Sequence, residues 1–464
     1  MFNKTHHPET FRSAPHRFKA IPESRIQELL KIERERFSER APQSGIENQR
    51  ASQVTPLGVA SSFQHWDPYP ISIASAKGAW MKDVDGRDML DMSMGFGALL
   101  VGHLNDEVVA EAKKTLEVGT LFATPSPITR DGAEIIARRF GLDMVRFANS
   151  GTEATMYAIR TARAATGKLG VVKIEGGYHG SYDPLMVSNK PEIELAGSET
   201  DPTPVPLPAI VPGDVWVVPY NNAESLERVF KAHASKIACL ILEPVLENIG
   251  IVVPDLGYLE RVRELCDEYG VALIFDEVKT GLTAGPQGAA QRLGVRPDLI
   301  ALAKSIGGGI PVAAFGGKRE FMEAVVNRSH NHLGTFNGHF LAMAGVRAVD
   351  RICTPEALAR CESFNRQALT RISEIINEFE IPAHTVGFGV KGCITWSPTA
   401  VRNYRDYKAT NFDIAELSFF WSLNRNVMTP PGLDEQWLIS LAHGQREVDI
   451  IVNDFREFAE ALRA

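Results

Sequence analysis

The sequence predicts an α/β protein built on a mostly parallel sheet that is covered by helices on both faces. Between about residues 145 and 315, apolar segments alternate with amphipathic segments of helical period. The apolar segments are near-continuous runs rich in Val, Ile and Leu, which is typical of strands buried on both faces. They read MVRFANS, GVVKIEGG, KIACLILEPV, VALIFDEV and LIALAKS. A helix is predicted in LGYLERVRELCDEYG, where one face contains Leu259, Val262 and Leu265.

The remaining chain divides around this central part. Residues 1–50 are predicted to be a polar N-terminal extension with one amphipathic helix. Residues 51–90 are predicted to start a small domain, with two short strands in GAWMKDVDGRDMLDM. Residues 91–344 are expected to form the large domain, and residues 345–464 a C-terminal small domain. The apolar face of the N-terminal helix consists of Ile26, Leu29, Leu30 and Phe37.

Composition and charge argue against several other classes of protein. Of the 464 residues, 44% are hydrophobic and 23% are charged, as in globular proteins, and the net charge is −8. Such a chain offers no basic surface for nucleic acid or anionic lipid. It has no apolar run long enough for a membrane and no signal-peptide core at its start. Five scattered cysteines indicate reduced thiols and a cytoplasmic protein. No metal site is expected, because the two histidines of HNH at 330–332 have no third ligand at a useful spacing.

Three ionisable residues follow successive predicted strands: Glu243, Asp276 and Lys304. Ligands of an open parallel sheet bind beyond the carboxyl ends of its strands, so these side chains are expected to share one site. A buried salt-bridge network is the alternative, but it does not explain the three glycines at 307–309. Glycine lets the backbone approach a ligand closely. A desolvated lysine has a lowered pKa, and its neutral amine can form an imine with an aldehyde.

The segment ANSGTEATMYAIRTARAATG predicts an anion site. It becomes helical at about Gly151, and Ser150 with Glu153 matches the Ser-x-x-Glu capping box. A cap alone is the simpler interpretation. However, residues 149–152 place hydroxyls and backbone N–H groups at a helix N-terminus, which favours phosphate. Neither GxxxxGK[ST] nor GxGxxG after a strand occurs, which argues against ATP and NAD.

A third motif, GGYHG, places Tyr178 and His179 in a loop after a strand. A tyrosine in such a loop can be merely packed, but a flat heteroaromatic cofactor would need a stacking partner. An imine-forming lysine, a phosphate site, a stacking ring and an aspartate beside a pyridine nitrogen are what pyridoxal 5′-phosphate (PLP) requires.

From about residue 55 to its C-terminus the chain resembles the class III aminotransferases, most closely the glutamate-1-semialdehyde 2,1-aminomutase branch. The resemblance is carried by DVDGRDMLDM, NSGTEATMYAIRTARAATG, GGYHGSYD, EPVLENIG, YGVALIFDEVKTG, LAKSIGGGIPVAAFGG, LGTFNGHFLAMAG and PPGLDEQWLISLAHG. It implies a homodimer of fold type I. The large domain would contain a seven-stranded, mostly parallel sheet, and both chain ends would build a small α+β domain.

The resemblance also implies roles for individual residues. Lys304 is similar to the Schiff-base lysine and Asp276 to the partner of the pyridine nitrogen, while Val278 and Tyr178 would contact the two ring faces. Thr335 resembles a threonine that reaches the phosphate of the neighbouring subunit. Residues expected to hold the phosphate are Ser150, Gly151 and Thr152, and those near the 3-hydroxyl and the substrate are Glu243 and Asn248.

Two departures from the family bear on the substrate. The aminomutase branch has a carboxylate-binding arginine near PLGVASSFQ, where this chain has Gln64, and the arginine of FDEVxTGFR is Thr283. An amide cannot form a bidentate ion pair with a carboxylate. The proline-rich loop at 190–213 also differs from the aminomutase's gating loop. The candidate substrate residues are Phe63, Gln64, Trp66 and Arg402, although a solvated surface position is the simpler interpretation of the arginine.

We therefore expect an aminotransferase that moves an amino group from an amine, a β- or ω-amino acid or another amino acid to a keto acid by a ping-pong mechanism. An intramolecular aminomutase or a racemase is an alternative, because the shared motifs determine the cofactor rather than the outcome. A non-catalytic binding subunit is an alternative of another class. The intact lysine, aspartate and phosphate residues argue against it.

Overall fold

The computed structural model describes residues 7–13, 15, 17–432 and 436–464. Parts of the predicted N-terminal extension (1–6, 14 and 16) and of PPGLDEQWLISLAHG (433–435) lie outside the described residues. The strands are β1 (Phe11–Arg12), β2 (Ile73–Lys77), β3 (Trp80–Asp83), β4 (Asp88–Asp91), β5 (Met144–Ala148), β6 (Gly170–Ile174), β7 (Val215–Val218), β8 (Ile237–Leu242), β9 (Ala272–Asp276), β10 (Leu299–Leu302), β11 (Ala313–Gly317), β12 (His384–Phe388), β13 (Lys391–Thr395), β14 (Val427–Met428) and β15 (Trp437–Leu438).

Helices connect these strands. They are α1 (Glu23–Arg40), α2 (Pro42–Ala51), α3 (Met94–Gly97), α4 (Asp106–Leu116), α5 (Pro127–Phe140), α6 (Gly151–Thr166), α7 (Ala223–His233), α8 (Tyr258–Tyr269), α9 (Gly281–Ala284), α10 (Gly288–Arg292), α11 (Arg319–Val326), α12 (Phe340–Ile352), α13 (Pro355–Glu378), α14 (Tyr404–Lys408), α15 (Phe412–Asn424) and α16 (Gln445–Arg463). In the described part of the chain, none of them combines the length and the apolar character that crossing a bilayer requires.

The large sheet confirms the predicted α/β fold. Its seven strands run in the order β5-β11-β10-β9-β8-β6-β7. Strand β11 is antiparallel to both of its neighbours, and the other neighbouring pairs are parallel. Strands β6, β8, β9, β10 and β11 are buried along their whole length, as expected for a sheet covered on both faces.

Two four-stranded sheets combine strands from both ends of the chain. Their orders are β1-β12-β13-β15 and β14-β4-β3-β2. The hairpin predicted in GAWMKDVDGRDMLDM is the antiparallel pair β3–β4. The domain boundaries at residues 50, 90 and 344 stay predictions.

The N-terminal segment contains two helices where the sequence predicts one. The first, α1, ends before Pro42, which starts α2, because a proline at the first helical turn is tolerated but cannot continue a preceding helix. The predicted apolar face of α1 is buried. Phe37 of this face packs edge-on against Phe420 of α15, with ring centroids 5.7 Å apart. The N-terminal helix is therefore packed on the C-terminal part of the chain.

The register of three parallel strands brings the strand-end residues together. Ala301 of β10 pairs with Asp276 at the end of β9, and Phe275 pairs with Leu242 at the end of β8. Glu243 follows β8 directly, and Lys304 follows β10 by two residues. The three segments therefore leave the sheet at the same edge, where ligands of such sheets bind.

Candidate active site

A cavity of about 480 Å³ lies at this edge of the large sheet. Its volume is in the range of small-molecule sites. Predicted cofactor residues from five separate segments of the chain line it: Ser150, Gly151, Thr152, Tyr178, Glu243, Asn248, Asp276, Val278 and Lys304. The fold therefore collects these residues in one site.

Lys304 begins a short 3₁₀ turn, Lys304–Gly307, and has a left-handed backbone with φ +50°. A bulky residue rarely adopts this conformation, and such strain is concentrated at functional sites. The Lys304 ammonium donates a hydrogen bond to the carbonyl oxygen of Phe96 at 3.3 Å. Contact with the N-terminal part of the chain thus helps to fix the lysine.

Phe96 lies in a left-handed turn, Met94–Gly97, whose four residues all have positive φ. Each non-glycine residue in this conformation costs about 1–2 kcal/mol. Asp91 compensates, because its Oδ1 accepts hydrogen bonds from the backbone N–H groups of Ser93 and Met94 at 2.8 and 2.9 Å. The turn is therefore held from the end of β4.

The three glycines at 307–309 were predicted to let the backbone approach a ligand, but they mainly allow close packing within the protein. A Cβ on Gly307 would lie 2.6 Å from Cγ1 of Val312, and a Cβ on Gly309 would lie 2.7 Å from Cδ2 of Leu99. Of the three glycines, only Gly309 lines the cavity. They allow close packing of the lysine turn against the protein, and a single one borders the ligand space.

Asp276 is buried and accepts two hydrogen bonds. His179 Nδ1 lies 2.8 Å from Oδ2, and the backbone N–H of Val278 donates to Oδ1 at 3.0 Å. Burial outweighs the neighbouring carboxylate and lowers the pKa of His179, so the ring contacts Asp276 as a neutral imidazole. The sequence assigns no role to this histidine, although its place in GGYHG is an available signal.

The N-terminus of α6, which is predicted to bind an anion, lines the cavity. The Ser150 side chain accepts a hydrogen bond from the backbone N–H of Glu153 at 3.2 Å. The other half of the predicted capping box is absent, because the Glu153 carboxylate accepts from the backbone N–H and the side chain of Asn149. Ser150, Gly151 and Thr152 line the cavity, and a helix N-terminus favours an anion there.

Glu243 is buried in the cavity wall. Its Oε2 accepts a hydrogen bond from the backbone N–H of Glu247 at 3.0 Å, and its Oε1 has no partner among the described residues. Burial, followed by the charge of Asp276, raises the pKa of Glu243 to about 8. The carboxyl group is therefore largely protonated at pH 7 and can donate a hydrogen bond to a ligand.

The side of the cavity that is predicted to hold the substrate is aromatic. Phe63 lies edge-on to Tyr178, with centroids 5.6 Å apart, and 6.2 Å from Phe96. Gln64 also lines the cavity, but its Oε1 accepts a hydrogen bond from the Ser61 backbone at 3.2 Å. At the position where the aminomutase branch is expected to have an arginine, this chain therefore has the amide of Gln64, next to the phenyl ring of Phe63.

Several other predicted residues lie outside the cavity. Trp66 packs edge-on against Phe419, with centroids 5.4 Å apart. Arg402 forms an ion pair with Asp255, which holds it at the surface. Neither residue lines this cavity, and their role in substrate binding stays a prediction. Thr335 is exposed and does not line the cavity of its own chain.

The cavity also contains residues that the sequence does not single out. Phe96 and Lys279 line it beside the predicted residues. Lys279 follows Asp276 by three positions in DEVKTG, so its proximity to the strand end is a usable signal. Phe96 has no such signal, because it approaches Lys304 from more than two hundred residues away.

Comparison with known proteins identifies the family that this chain is similar to. The family model of the class-III aminotransferases matches residues 62–390. A glutamate-1-semialdehyde 2,1-aminomutase from Thermomicrobium roseum is 38% identical over 426 residues, which cover 89% of this chain and 97% of that protein. The structure of an omega-transaminase from Sphaerobacter thermophilus is 30% identical, with a TM-score of 0.86 over 91% of this chain and 98% of that one. A transaminase structure with PLP bound is 28% identical, with a TM-score of 0.83 over 91% and 97% of the two chains.

Replacing Glu243 with glutamine should change how stability depends on pH. The folded pKa of about 8 lies above the ordinary value of 4.5, so between these pH values the folded state binds more protons than the unfolded state. This group therefore makes the protein less stable as the pH rises through that window. The Tm of Glu243→Gln minus the Tm of wild type should therefore increase from pH 5 to pH 8, by on the order of a few degrees.

Thermal denaturation at pH 5, 6.5 and 8 measures this difference. Glu39→Gln, at an exposed position of α1, is the matched control and should follow wild type at every pH. A Tm difference between Glu243→Gln and wild type that does not vary with pH would contradict the raised pKa.

Proposed function

The chain belongs to the class III aminotransferase family, and we propose that it transfers an amino group from an amine, or from a β- or ω-amino acid, to a keto acid by a ping-pong mechanism. It is an enzyme of the PLP-dependent transaminase type. The observation that carries the proposal is the substrate side of the cavity, where Gln64 and Phe63 occur and where the described lining contains no arginine. A donor whose carboxylate must be clamped by an arginine is therefore disfavoured.

The cavity residues fit PLP. The N-terminus of α6 would hold the phosphate, and Gly151 keeps that wall open, since a Cβ there would lie 3.0 Å from Cγ1 of Val278. Asp276 would pair with the pyridine nitrogen, and Val278 and Tyr178 would contact the ring. The partnerless Oε1 of Glu243 suits the 3-hydroxyl region, together with Asn248.

When bound, PLP supplies an electron sink that stabilises negative charge on the substrate carbon. The side chains of this protein provide the proton transfers. We assign Lys304 Nζ as the general base that takes the proton from the carbon bearing the amino group. Asp276, oriented by His179 and the Val278 backbone, would favour a protonated ligand nitrogen through its charge.

An intramolecular aminomutase is the second candidate function. The 38% identity to the aminomutase of Thermomicrobium roseum favours it. The amide at Gln64 argues against a glutamate-1-semialdehyde substrate, because it cannot pair with that substrate's carboxylate as an arginine would.

We also propose that the enzyme is a homodimer with its active site at the subunit interface. Thr335 would reach the cofactor phosphate of the partner subunit. Two observations support this: Thr335 is exposed, and its neighbours Leu333 and Phe336 are 75% and 56% exposed. Clustered exposed apolar side chains mark interaction surfaces.

Multiple turnovers should require an external keto acid. With an amine or β-amino acid donor and either pyruvate or 2-oxoglutarate, the purified enzyme should form product continuously. Without an acceptor, product should stop at one equivalent per active site, because the amino group remains on the enzyme. Chromatographic product counting decides the matter, and continued turnover without an acceptor would favour the aminomutase.

Lys304→Ala should lower turnover by about 10³-fold or more, since general acid–base catalysis contributes 10²–10⁴-fold and the covalent attachment is lost as well. Steady-state rates with a saturating donor and acceptor measure the loss. Lys236→Ala, at an exposed lysine outside the cavity, should retain wild-type rates. Near-wild-type turnover of Lys304→Ala would remove this lysine from the mechanism.

The double variant Leu333→Lys with Phe336→Lys should shift the protein from dimer to monomer, because charges would enter the proposed interface. Sedimentation velocity should give twice the chain mass of 51.0 kDa for wild type. Val211→Lys, at a position that is also 75% exposed, serves as the control and should remain dimeric. A monomeric wild-type protein would refute the interface.

A further inference from the structure

A chain of hydrogen bonds leads from the cavity to the loop of residues 332–338, called the interface loop below. Asn149 lines the cavity, and its Nδ2 donates to Oδ1 of Asn337 at 3.1 Å. Nδ2 of Asn337 lies 3.0 Å from Nε2 of His332. An amide nitrogen can only donate, so the histidine nitrogen accepts. Burial, followed by the charge of Arg146, lowers the pKa of His332 to about 4, which keeps the ring neutral at pH 7 and able to accept.

The first member of this chain is fixed on α6. The Glu153 carboxylate accepts from the backbone N–H of Asn149 at 2.8 Å and from its Nδ2 at 3.0 Å. An amide nitrogen has two hydrogens, and in Asn149 one goes to Glu153 and the other to Asn337. The position of Asn337 is therefore set by the first turn of the helix that is predicted to hold the phosphate.

A second contact fixes the interface loop on the far side of Thr335. The Tyr157 hydroxyl donates to the carbonyl oxygen of Leu333 at 2.6 Å. The ring of Tyr157 also lies edge-on to His332, with centroids 4.4 Å apart. The exposed Thr335 thus lies between one anchor at Leu333 and another at Asn337, and both anchors are on α6 of the same chain.

We propose that Asn337 is a positioning residue that joins two phosphate sites: it connects the N-terminus of α6 in its own subunit to the Thr335 that this subunit offers to the partner's cofactor. The inference rests on the proposed cofactor site and the proposed homodimer. Because linkage is reciprocal, the factor by which the cofactor tightens the dimer equals the factor by which the dimer tightens the cofactor. Asn337 would carry a large share of that factor.

The dissociation constant of the dimer, measured by sedimentation velocity over a dilution series with and without PLP, tests the inference. In wild type, PLP should tighten the dimer by about fivefold or more, and in Asn337→Ala by less than about twofold. The Kd for PLP, followed by the absorbance of the bound cofactor, should rise about 5- to 50-fold, because the variant leaves Asn149 with an unused donor.

The rate of the loaded enzyme separates positioning from general damage. Asn337 does not line the cavity, so kcat at saturating PLP should stay within about threefold of wild type. Asn453→Ala, at an exposed asparagine of α16, is the matched control and should match wild type in every measurement. A wild-type dimer that PLP does not tighten, or an Asn337→Ala dimer that PLP tightens as much as wild type, would overturn the inference.

Two variants of His332 test the chain independently, also where Asn337→Ala does not fold. His332→Gln loses the ring but keeps an acceptor for the Asn337 amide, so the Kd for PLP should stay within about threefold of wild type. His332→Phe keeps a ring beside Tyr157 but loses the acceptor, so this Kd should rise as in Asn337→Ala. The reverse order would assign the effect to ring packing and contradict a role for the hydrogen bonds.

These outcomes are distinct from a failure of the proposed function. A dimer whose response to PLP depends on Asn337, but which transaminates no donor, would support the inference and refute the proposed amino transfer. An active transaminase whose dimer responds to PLP equally with and without Asn337 would refute the inference alone. A monomeric wild-type protein would refute both the interface and the inference, and leave the amino transfer to be judged by its own assay.

Discussion

The parallel register of β8, β9 and β10 is the constraint on which the site depends. It places the chain ends that carry Glu243, Asp276 and Lys304 at one edge of the sheet. A slip of one residue in β9 would turn Asp276 to the opposite face and away from His179. These strands are buried on both faces, so apolar packing specifies the register. The core, rather than attraction among the polar groups, positions the site.

Burial then determines the protonation states around the cavity. Lys173, fully buried in β6, donates hydrogen bonds to the carbonyl oxygens of Gly177 and Val187 at 2.8 and 2.6 Å. Burial lowers its pKa to about 7. It anchors the loop that carries Tyr178 and His179 to Val187, three residues before the proline-rich loop at 190–213. The same low-polarity interior keeps Glu243 protonated and His179 neutral, so one physical cause acts on groups of opposite charge.

The sequence was sufficient where chemistry follows from local position. Asp276 and Lys304 stand at the ends of apolar runs, and the parallel sheet brings such ends together. It was insufficient where partners are distant: the Lys391–Glu247 pair joins residues 144 positions apart, and Asp255 holds Arg402 from 147 positions away. Local patterns also leave atoms unspecified. The Ser-x-x-Glu pattern predicted the cap of α6, but the Glu153 carboxylate accepts its hydrogen bond from the backbone N–H of Asn149 instead of that of Ser150.

The hydrogen bond between Lys304 and Phe96 has a consequence for the order in which the chain folds. It joins residues 208 positions apart, and the left-handed turn around Phe96 is held by Asp91, at the end of a strand in a different sheet. The chain must lose the entropy of closing a loop of that length before the hydrogen bond contributes any stability. We therefore expect this contact to form late in folding. A growing or partly folded chain therefore holds its reactive lysine without the turn that fixes it. The position of Lys304 relative to the large sheet and the N-terminal part of the chain is thereby fixed only when the chain has completed folding.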